Sequence, residues 1–130
     1  MPTLTASAAE KLEYDATVLA PSDIARYLQE QLGQRMAAHL VGLSDTRQLG
    51  RYSRTDGPHP SETTERRLRE AYKVVRMIAD AYDAKTAKVW LFGTNSRLDD
   101  QAPIDVLGEA VAPAQLTAVV RAARQFASFQ

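Results

Sequence analysis

The longest periodic pattern in this 130-residue sequence is the stretch ETTERRLREAYKVVRMIADAYDA, which begins directly after Ser61. Its apolar residues recur every three or four positions, as on one face of a helix, and basic residues fall between them. This face consists of Leu68, Ala71, Tyr72, Val75, Ile78, Ala79 and Tyr82. Because serine is a preferred helix N-cap, the pattern predicts one long helix that begins after Ser61 and buries a continuous stripe.

Shorter helical patterns lie on both sides of this stretch. Upstream, helices are predicted in PSDIARYLQEQLG, QRMAAHLVGL and SDTRQLGRYSR, with Ser22 or Asp23 capping the first and with turns at Gly33 and Gly42. Downstream, helices are predicted in KTAKVWLF, from Pro103 through Leu107, and in PAQLTAVVRAARQFASF. No alternation of apolar and polar residues is sustained along the chain. The predicted fold is therefore all-α, a small helical bundle.

Composition limits the classes of protein that the chain can belong to. It has 16 acidic residues, 16 basic residues and no cysteine, which excludes disulfides and thiolate metal sites. No apolar run reaches the roughly 18 residues of a membrane helix and the chain does not begin with a secretory signal, so a soluble, cytoplasmic protein is expected. Its length fits one domain, or two very small ones that share a core. Residues 1–20 show no sustained period and are predicted to form a flexible N-terminal arm.

The segment RMAAHLVGLSDTRQLGRYSR has the pattern of a helix-turn-helix. Its first helix is rich in small residues, Gly42 suits the tight turn, and Ser44 or Asp45 can cap the second helix. Between residues 45 and 76, eight basic and five acidic residues give a net charge of +3, although the whole chain is neutral. The candidate DNA-binding residues are Ser44, Thr46, Arg47, Gln48, Arg51, Tyr52 and Arg54. Arginine and glutamine suit base edges in the major groove. The alternative is an ordinary solvated helix that contacts no DNA.

The stretch VWLFGTNSRLDDQAPIDVL places three large apolar residues, Trp90, Leu91 and Phe92, before a glycine break and a polar loop. We expect some of them to complete the core, and any that stays exposed to be an interface anchor. Asn95 can hold the turn through its side chain, and Pro103 suits the first turn of a helix. A purely structural corner is the alternative.

These residues resemble a known family. The order Ala87, Trp90, Leu91, Asn95, Leu98, Pro103, Leu107 resembles the C-terminal toxin-binding domain of the Xre/MbcA/ParS antitoxin family. The upstream order Arg51-Tyr52, Gly57, Pro60, Arg67-Leu68 is similar to the helix-turn-helix exit and the long connecting helix of that family. The resemblance covers roughly residues 22 to 129. The family pattern has a tryptophan where this chain has Tyr52, and it has no motif that matches the first 20 residues.

The resemblance implies the antitoxin of a type II toxin–antitoxin system, built in two parts. Residues 21–60 would be a helix-turn-helix DNA-binding region that binds operator DNA and represses the operon. Residues 61–130 would hold the connecting helix and a toxin-binding domain that masks the active site of a RES-domain, NAD-degrading toxin. The implied toxin-binding residues are Trp90, Asn95, Leu98, Pro103, Leu107, Arg121, Arg124, Phe126 and Phe129. The implied assembly is a homodimer or a toxin–antitoxin hetero-oligomer.

Two other classes of function are alternatives to the antitoxin. An enzyme would have only His39 and His59 as near-neutral bases. His39 is expected in packing or on the surface, and His59, between two prolines, is expected in solvent. No phosphate loop, nucleophile elbow or metal-ligand spacing is present, so no catalytic residue, metal or cofactor is predicted. The remaining alternative is a stand-alone host or phage helix-turn-helix transcriptional regulator without a toxin partner.

Overall fold

The computed structural model of the chain describes residues 4–128, and these fold into a helical bundle. No strand occurs between residues 4 and 128, so the predicted all-α bundle is confirmed. The helices are α1 (Ala6–Val18), α2 (Pro21–Leu32), α3 (Gln34–Leu40), α4 (Thr46–Tyr52), α5 (Glu62–Ala81), α6 (Ala84–Phe92), a 3₁₀ turn (Ser96–Leu98), α7 (Pro103–Glu109) and α8 (Pro113–Ser128). None of these helices is both long enough and apolar enough to cross a membrane.

Helix α5 is the centre of the bundle. The Ser61 side chain accepts a hydrogen bond from the Thr64 N–H, so the predicted cap is confirmed. Helices α1, α2, α6 and α8 all pack against α5. Val74 and Met77, which lie outside the predicted stripe, are fully buried as well. A helix that is covered from several sides buries more of its circumference than a single amphipathic face.

The prediction of a flexible arm over residues 1–20 is wrong for the part of that range that the structure describes. Thr5 caps α1 by accepting a hydrogen bond from the Ala8 N–H at 3.1 Å. The residues that attach α1 to the bundle are Leu4, Ala9, Leu12 and Ala16, all of them buried. Two of the four are alanines, and the apolar residues of the segment are not concentrated on one helix face, so no period could be identified from the sequence. Contact with α5 stabilises this helix where its sequence alone does not.

The three short helices α2, α3 and α4 occur where the sequence predicted them. The cap of α2 differs from the expectation, because Ala20 is the N-cap and Pro21 occupies the first turn in place of a Ser22 or Asp23 cap. Gly33 and Gly42 adopt positive φ angles of 85° and 76°, as the predicted turns require. Asp45, and not Ser44, caps α4 through the Arg47 N–H at 3.0 Å.

The two predicted halves of the chain, 21–60 and 61–130, share one hydrophobic core. At their junction α3 and α7 pack with almost no space between the backbones. A Cβ atom at Gly108 would lie 2.5 Å from the His39 carbonyl oxygen, and one at Gly42 would lie 2.6 Å from the Gly108 oxygen. Arg67 of α5 lies beside this seam and donates to the Ala110 carbonyl at 2.5 Å, which satisfies the end of α7.

Candidate functional site

The Trp90 corner divides its large apolar side chains between the core and the surface. Asp83 caps α6 by accepting from the Thr86 N–H at 2.7 Å, and the hydrogen bonds from Thr86 lower the pKa of the Asp83 carboxyl. Leu91 is fully buried and Trp90 is half-buried. Val89 and Phe92 stay 67% and 63% exposed. The corner therefore supports the core and also leaves apolar surface open, as expected for an interface anchor.

Trp90 lies beside α8, where it packs against Phe126. Their ring centroids are 6.2 Å apart, and the Tyr82 ring centroid lies 5.2 Å from that of Phe126. A shallow pocket of about 230 Å³ opens here between α6, the 3₁₀ turn and α8. Trp90, Asn95, Arg97 and Phe126 all line it. Three of the residues predicted from the sequence, Trp90, Asn95 and Phe126, thus come together at one place on the surface.

Asn95 holds the loop that borders this pocket. Its side-chain oxygen accepts from the Arg97 N–H at 2.9 Å, and its backbone N–H donates to the Gln101 carbonyl at 3.1 Å. Asp99 and Asp100 turn the chain in the left-handed region, with φ angles of 55° and 61°. Both aspartates are exposed, in keeping with the solvated loop that the sequence suggested. This turn fixes the position of Arg97 at the pocket rim.

Three of the predicted toxin-binding residues lie beneath this surface. Leu98 and Leu107 are 6% and 0% exposed, and Pro103 is also buried. Their side chains pack into the core that carries the 3₁₀ turn and α7. They can shape the pocket by positioning these elements, but they present no side-chain surface to a partner.

The outer side of α8 continues the surface beyond the pocket. Arg121, Arg124, Gln125 and Ser128 line a shallow depression there. The Arg124 guanidinium donates to the Glu13 carboxylate of α1 at 3.1 Å. Arg121 is exposed and forms no ion pair with any residue between 4 and 128. Phe129, the last predicted toxin-binding residue, lies outside the described residues.

We define the partner surface as Trp90, Asn95, Arg97, Arg121, Arg124 and Phe126. It combines an aromatic pair with three arginines at the meeting of α6, the 3₁₀ turn and α8. Aromatic and arginine side chains are the residue types that contribute most to protein–protein binding. Such a surface is suited to recognition of an acidic, partly apolar face on another protein.

The predicted DNA-binding residues lie on α4 and just after it. Arg47 is 80% exposed, but its guanidinium folds back onto Asp45 at 3.2 Å, and this bond lowers the pKa of the Asp45 carboxyl. Arg51 donates to the Gln48 side chain, and the Arg54 guanidinium lies 3.8 Å from Asp56. Ser44 is exposed, whereas Thr46, Gln48 and Tyr52 are half-buried. The arginines are accessible, and DNA would have to displace their present partners.

The basic excess between residues 45 and 76 does not form a free positive face. Lys73 contacts Glu13 of α1 at 3.3 Å, and Arg76 contacts Asp15 at 3.0 Å. The Arg69 guanidinium donates to the Ala16 and Leu19 carbonyls at 2.9 Å each, which closes the C-terminal end of α1. Four of the α5 cations, Arg67, Arg69, Lys73 and Arg76, therefore bind other helices, and the charge count overstated the positive surface available to DNA.

Sequence reasoning missed a second concave surface, between the α2–α3 junction and the α6–α7 side. This groove encloses about 680 Å³. Its apolar lining consists of Leu32, Met36, Phe92, Ala102 and Ile104, and its polar lining includes Gln34, Arg35, His39 and Asp105. These residues come from segments far apart in the chain. Of these residues, only Phe92 could be singled out from the sequence, because it is a large apolar residue next to a helix break.

The two histidines form side-chain hydrogen bonds at the surface. The His39 Nε2 atom lies 3.0 Å from an Asp105 oxygen and links α3 to α7. His59, exposed as expected, lies 3.0 Å from Glu65. Within the described part of the chain, no serine, threonine or lysine side chain forms a hydrogen bond with either pair. Among residues 4–128, no three acidic or histidine side chains lie close enough together to hold a metal ion.

No protein-family model, characterised protein or solved structure matches this chain.

Proposed function

We propose that this protein is the antitoxin of a type II toxin–antitoxin system in the cytoplasm, and that it covers the active site of a RES-domain, NAD-degrading toxin. The partner surface on α6, the 3₁₀ turn and α8 is the part that would contact the toxin. The observation that carries the proposal is the meeting of Trp90, Asn95 and Phe126 at one pocket. The resemblance to the antitoxin family assigns all three residues to the toxin-binding domain.

The composition of the partner surface favours binding to another protein. Trp90 is only half-buried, so part of its ring is available to a second chain. Arg97 and Arg121 are both exposed and form no ion pair within the described part of the chain. Tryptophan and arginine are both enriched at interface hot spots. A RES-domain partner with an acidic entrance would be held by both kinds of contact.

Co-expression with the RES-domain toxin tests this proposal. The unaltered protein should restore growth and intracellular NAD, and Trp90→Ala should lose most of that rescue. Because Trp90 also packs on Phe126, Arg121→Glu is the second variant; its side chain is exposed and its charge reversal leaves the core intact. Val111→Ala is the control, since Val111 is 91% exposed and lies outside the partner surface.

Thermal unfolding of each variant separates loss of binding from loss of folding. Full rescue by both folded variants would contradict the proposal. Truncation before Arg121 is a poorer test, because it removes Ala122, Ala123 and Ala127, which are buried. The shortened chain would lose part of its core together with the surface.

We further propose that α3, the Gly42 turn and α4 bind operator DNA and repress the operon. The order of two short helices joined by a glycine turn supports this proposal, as does the exposure of Arg47. Arg47→Ala combined with Arg51→Ala should weaken binding to the protein's own promoter. The slope of log K against log salt should fall by up to about 2, because two phosphate or base contacts are removed.

Lys85→Ala, on the exposed side of α6, is the control for the DNA experiment. Absence of measurable binding by the unaltered protein at low salt would contradict the operator proposal without affecting toxin binding. If DNA binding is present and no RES-domain gene lies beside this one, the stand-alone regulator is the better description.

A further inference from the structure

The exposed large apolar residues of the described chain concentrate on two helices. Tyr14 and Val18 of α1 are 66% and 54% exposed, and Val89 and Phe92 of α6 are 67% and 63% exposed. In each helix the two residues lie one turn apart, so they share a face. Paired apolar residues on one helix face are a typical contact for a second protein chain.

The groove beside Phe92 fits a tyrosine. Leu32, Met36, Phe92 and Ile104 provide apolar walls, and the hydrogen-bonded His39–Asp105 pair adds a polar rim. A tyrosine has an apolar ring and a polar hydroxyl tip, so it can satisfy both parts of such a groove. Tyr14 is the most exposed aromatic side chain among residues 4–128.

Charge complements this match of shape and polarity. Glu10 lies one turn before Tyr14 and has no ion-pair partner within residues 4–128. Arg35 lines the groove, Lys88 lies one turn before Phe92, and neither has an acidic partner in the same range. The α1 face therefore carries an available acid, and the groove is bordered by two available cations.

We propose that the groove binds α1 of a second copy of this chain, with Tyr14 entering between Met36, Phe92 and Ile104. Glu10 then faces Arg35 or Lys88. If the copies are related by a two-fold axis, each α1 occupies the other's groove and the contact is made twice. This inference goes beyond the proposed toxin and DNA contacts and does not depend on either of them.

Sedimentation velocity over about 1 to 300 µM protein tests whether copies associate in this way. The unaltered chain should show a concentration-dependent shift from monomer to dimer. Tyr14→Glu and Phe92→Glu should each weaken association about tenfold or more, because each replaces an aromatic ring of the apolar contact with a charged side chain. Both side chains are more than half exposed, so both variants should keep the helical circular dichroism of the unaltered chain. Val111→Glu, which lies outside both faces, should associate normally.

A mixture of the two weakened variants identifies which surfaces pair. In a two-fold dimer of either variant alone, each of the two α1–groove contacts contains one substituted residue, so both contacts are weakened. In a mixed dimer, the intact α1 of the Phe92→Glu chain meets the intact groove of the Tyr14→Glu chain. The equimolar mixture should therefore associate more strongly than either variant alone.

Three outcomes would overturn the inference. One is a monomer throughout the concentration range. Another is association that Phe92→Glu weakens and Tyr14→Glu leaves unchanged, which would mean that something other than α1 occupies the groove. The third is a mixture that associates no better than its components. Failure of the toxin rescue experiment would not change the interpretation of any of these association measurements.

Discussion

At the scale of single residues, several arginines act as connectors between helices. Arg67 reaches the Ala110 carbonyl at the end of α7, and Arg69 reaches two carbonyls at the end of α1. These cations are on α5, yet they satisfy backbone groups that belong to other helices. Hydrogen bonds from a charged donor contribute more than neutral ones, about 1.5–3 kcal/mol each. The basic residues of α5 therefore help to hold the bundle together.

Gly108 gives a prediction at this scale. In an ordinary helix, replacing glycine with alanine stabilises by up to about 1 kcal/mol. In α7 the added Cβ atom would lie 2.5 Å from the His39 carbonyl oxygen, so α3 and α7 would have to separate. We expect Gly108→Ala to lower the free energy of unfolding by about 2 kcal/mol.

Urea unfolding measures this change, and Gly93→Ala is the matched control. A Cβ atom at Gly93 would meet only the Val89 oxygen, at an ordinary 3.5 Å, and its φ is −77°. We expect that control to stay within about 0.5 kcal/mol of the unaltered chain. Stabilisation by Gly108→Ala would show that the α3–α7 seam is looser than described.

At the scale of elements, α1 is attached to the bundle by ion pairs as well as by apolar contacts. Its Glu13 carboxylate joins Lys73 of α5 to Arg124 of α8, and its Asp15 carboxylate receives Arg76. The Leu4 N–H also donates to the Ala127 carbonyl at 3.2 Å. Helix α1 therefore contacts the far end of α8 and helps to fix the helix that carries Arg121 and Phe126.

The Asp15 contact predicts a dependence of stability on pH. The hydrogen bond from Arg76 holds the pKa of Asp15 below its ordinary value of 3.8. A depressed pKa in the folded state means that the contribution to stability is fully present above that value and is lost as the pH falls below it. Glu65, whose pKa Arg69 lowers from its ordinary 4.5, should act in the same direction.

We expect Asp15→Asn to cost about 1–2 kcal/mol at pH 7 and less at pH 3, because below the ordinary pKa of 3.8 the unfolded chain binds a proton at this carboxyl and the contribution of the ion pair decreases. Urea unfolding at several pH values between about 3 and 7 measures the difference. Asp56→Asn is the control, because the Asp56 side chain is 89% exposed and its one ion pair among residues 4–128 is a long contact of 3.8 Å with Arg54. An Asp15→Asn penalty of the same size at both pH values would rule out this pair as its source.

At the scale of the whole molecule, the proposed DNA-binding and toxin-binding surfaces are built on one hydrophobic core. Buried residues from every α-helix of the described chain join a single cluster. The α3–α7 seam and the Arg67 contact connect the two halves directly. A partner that moves α7 or α8 would therefore act on packed neighbours of α3 and α5.

This shared core predicts that the chain unfolds in one step. Trp90, the only tryptophan, lies in the C-terminal half, so its fluorescence reports that half, whereas circular dichroism reports all helices. The two urea transitions should coincide. Leu49→Ala in α4, a fully buried position, should shift both midpoints equally and cost about 2–4 kcal/mol. Separate midpoints would instead indicate two independently folding halves.

The sequence by itself determined the helices that have strong local signals. The long α5 pattern, its Ser61 cap and the Gly33 and Gly42 turns depend on neighbouring residues alone, and all were predicted. Local propensity and spacing determine helices, caps and turns of this kind without reference to the rest of the fold. The choice of Trp90, Asn95 and Phe126 as site residues came from the family resemblance and stays a prediction.

Only the tertiary structure decided which residues are exposed at the surface. It buried Leu98 and Leu107, exposed Phe92, and matched the α5 cations with acids on α1. Helix α1 itself was not predicted, because its small apolar residues acquire their stabilising contacts only against α5. The groove combines side chains from α2, α3, α6 and α7 that are up to about 70 positions apart. Burial and ion pairing between such distant positions depend on packing in three dimensions, so no local pattern could reveal them.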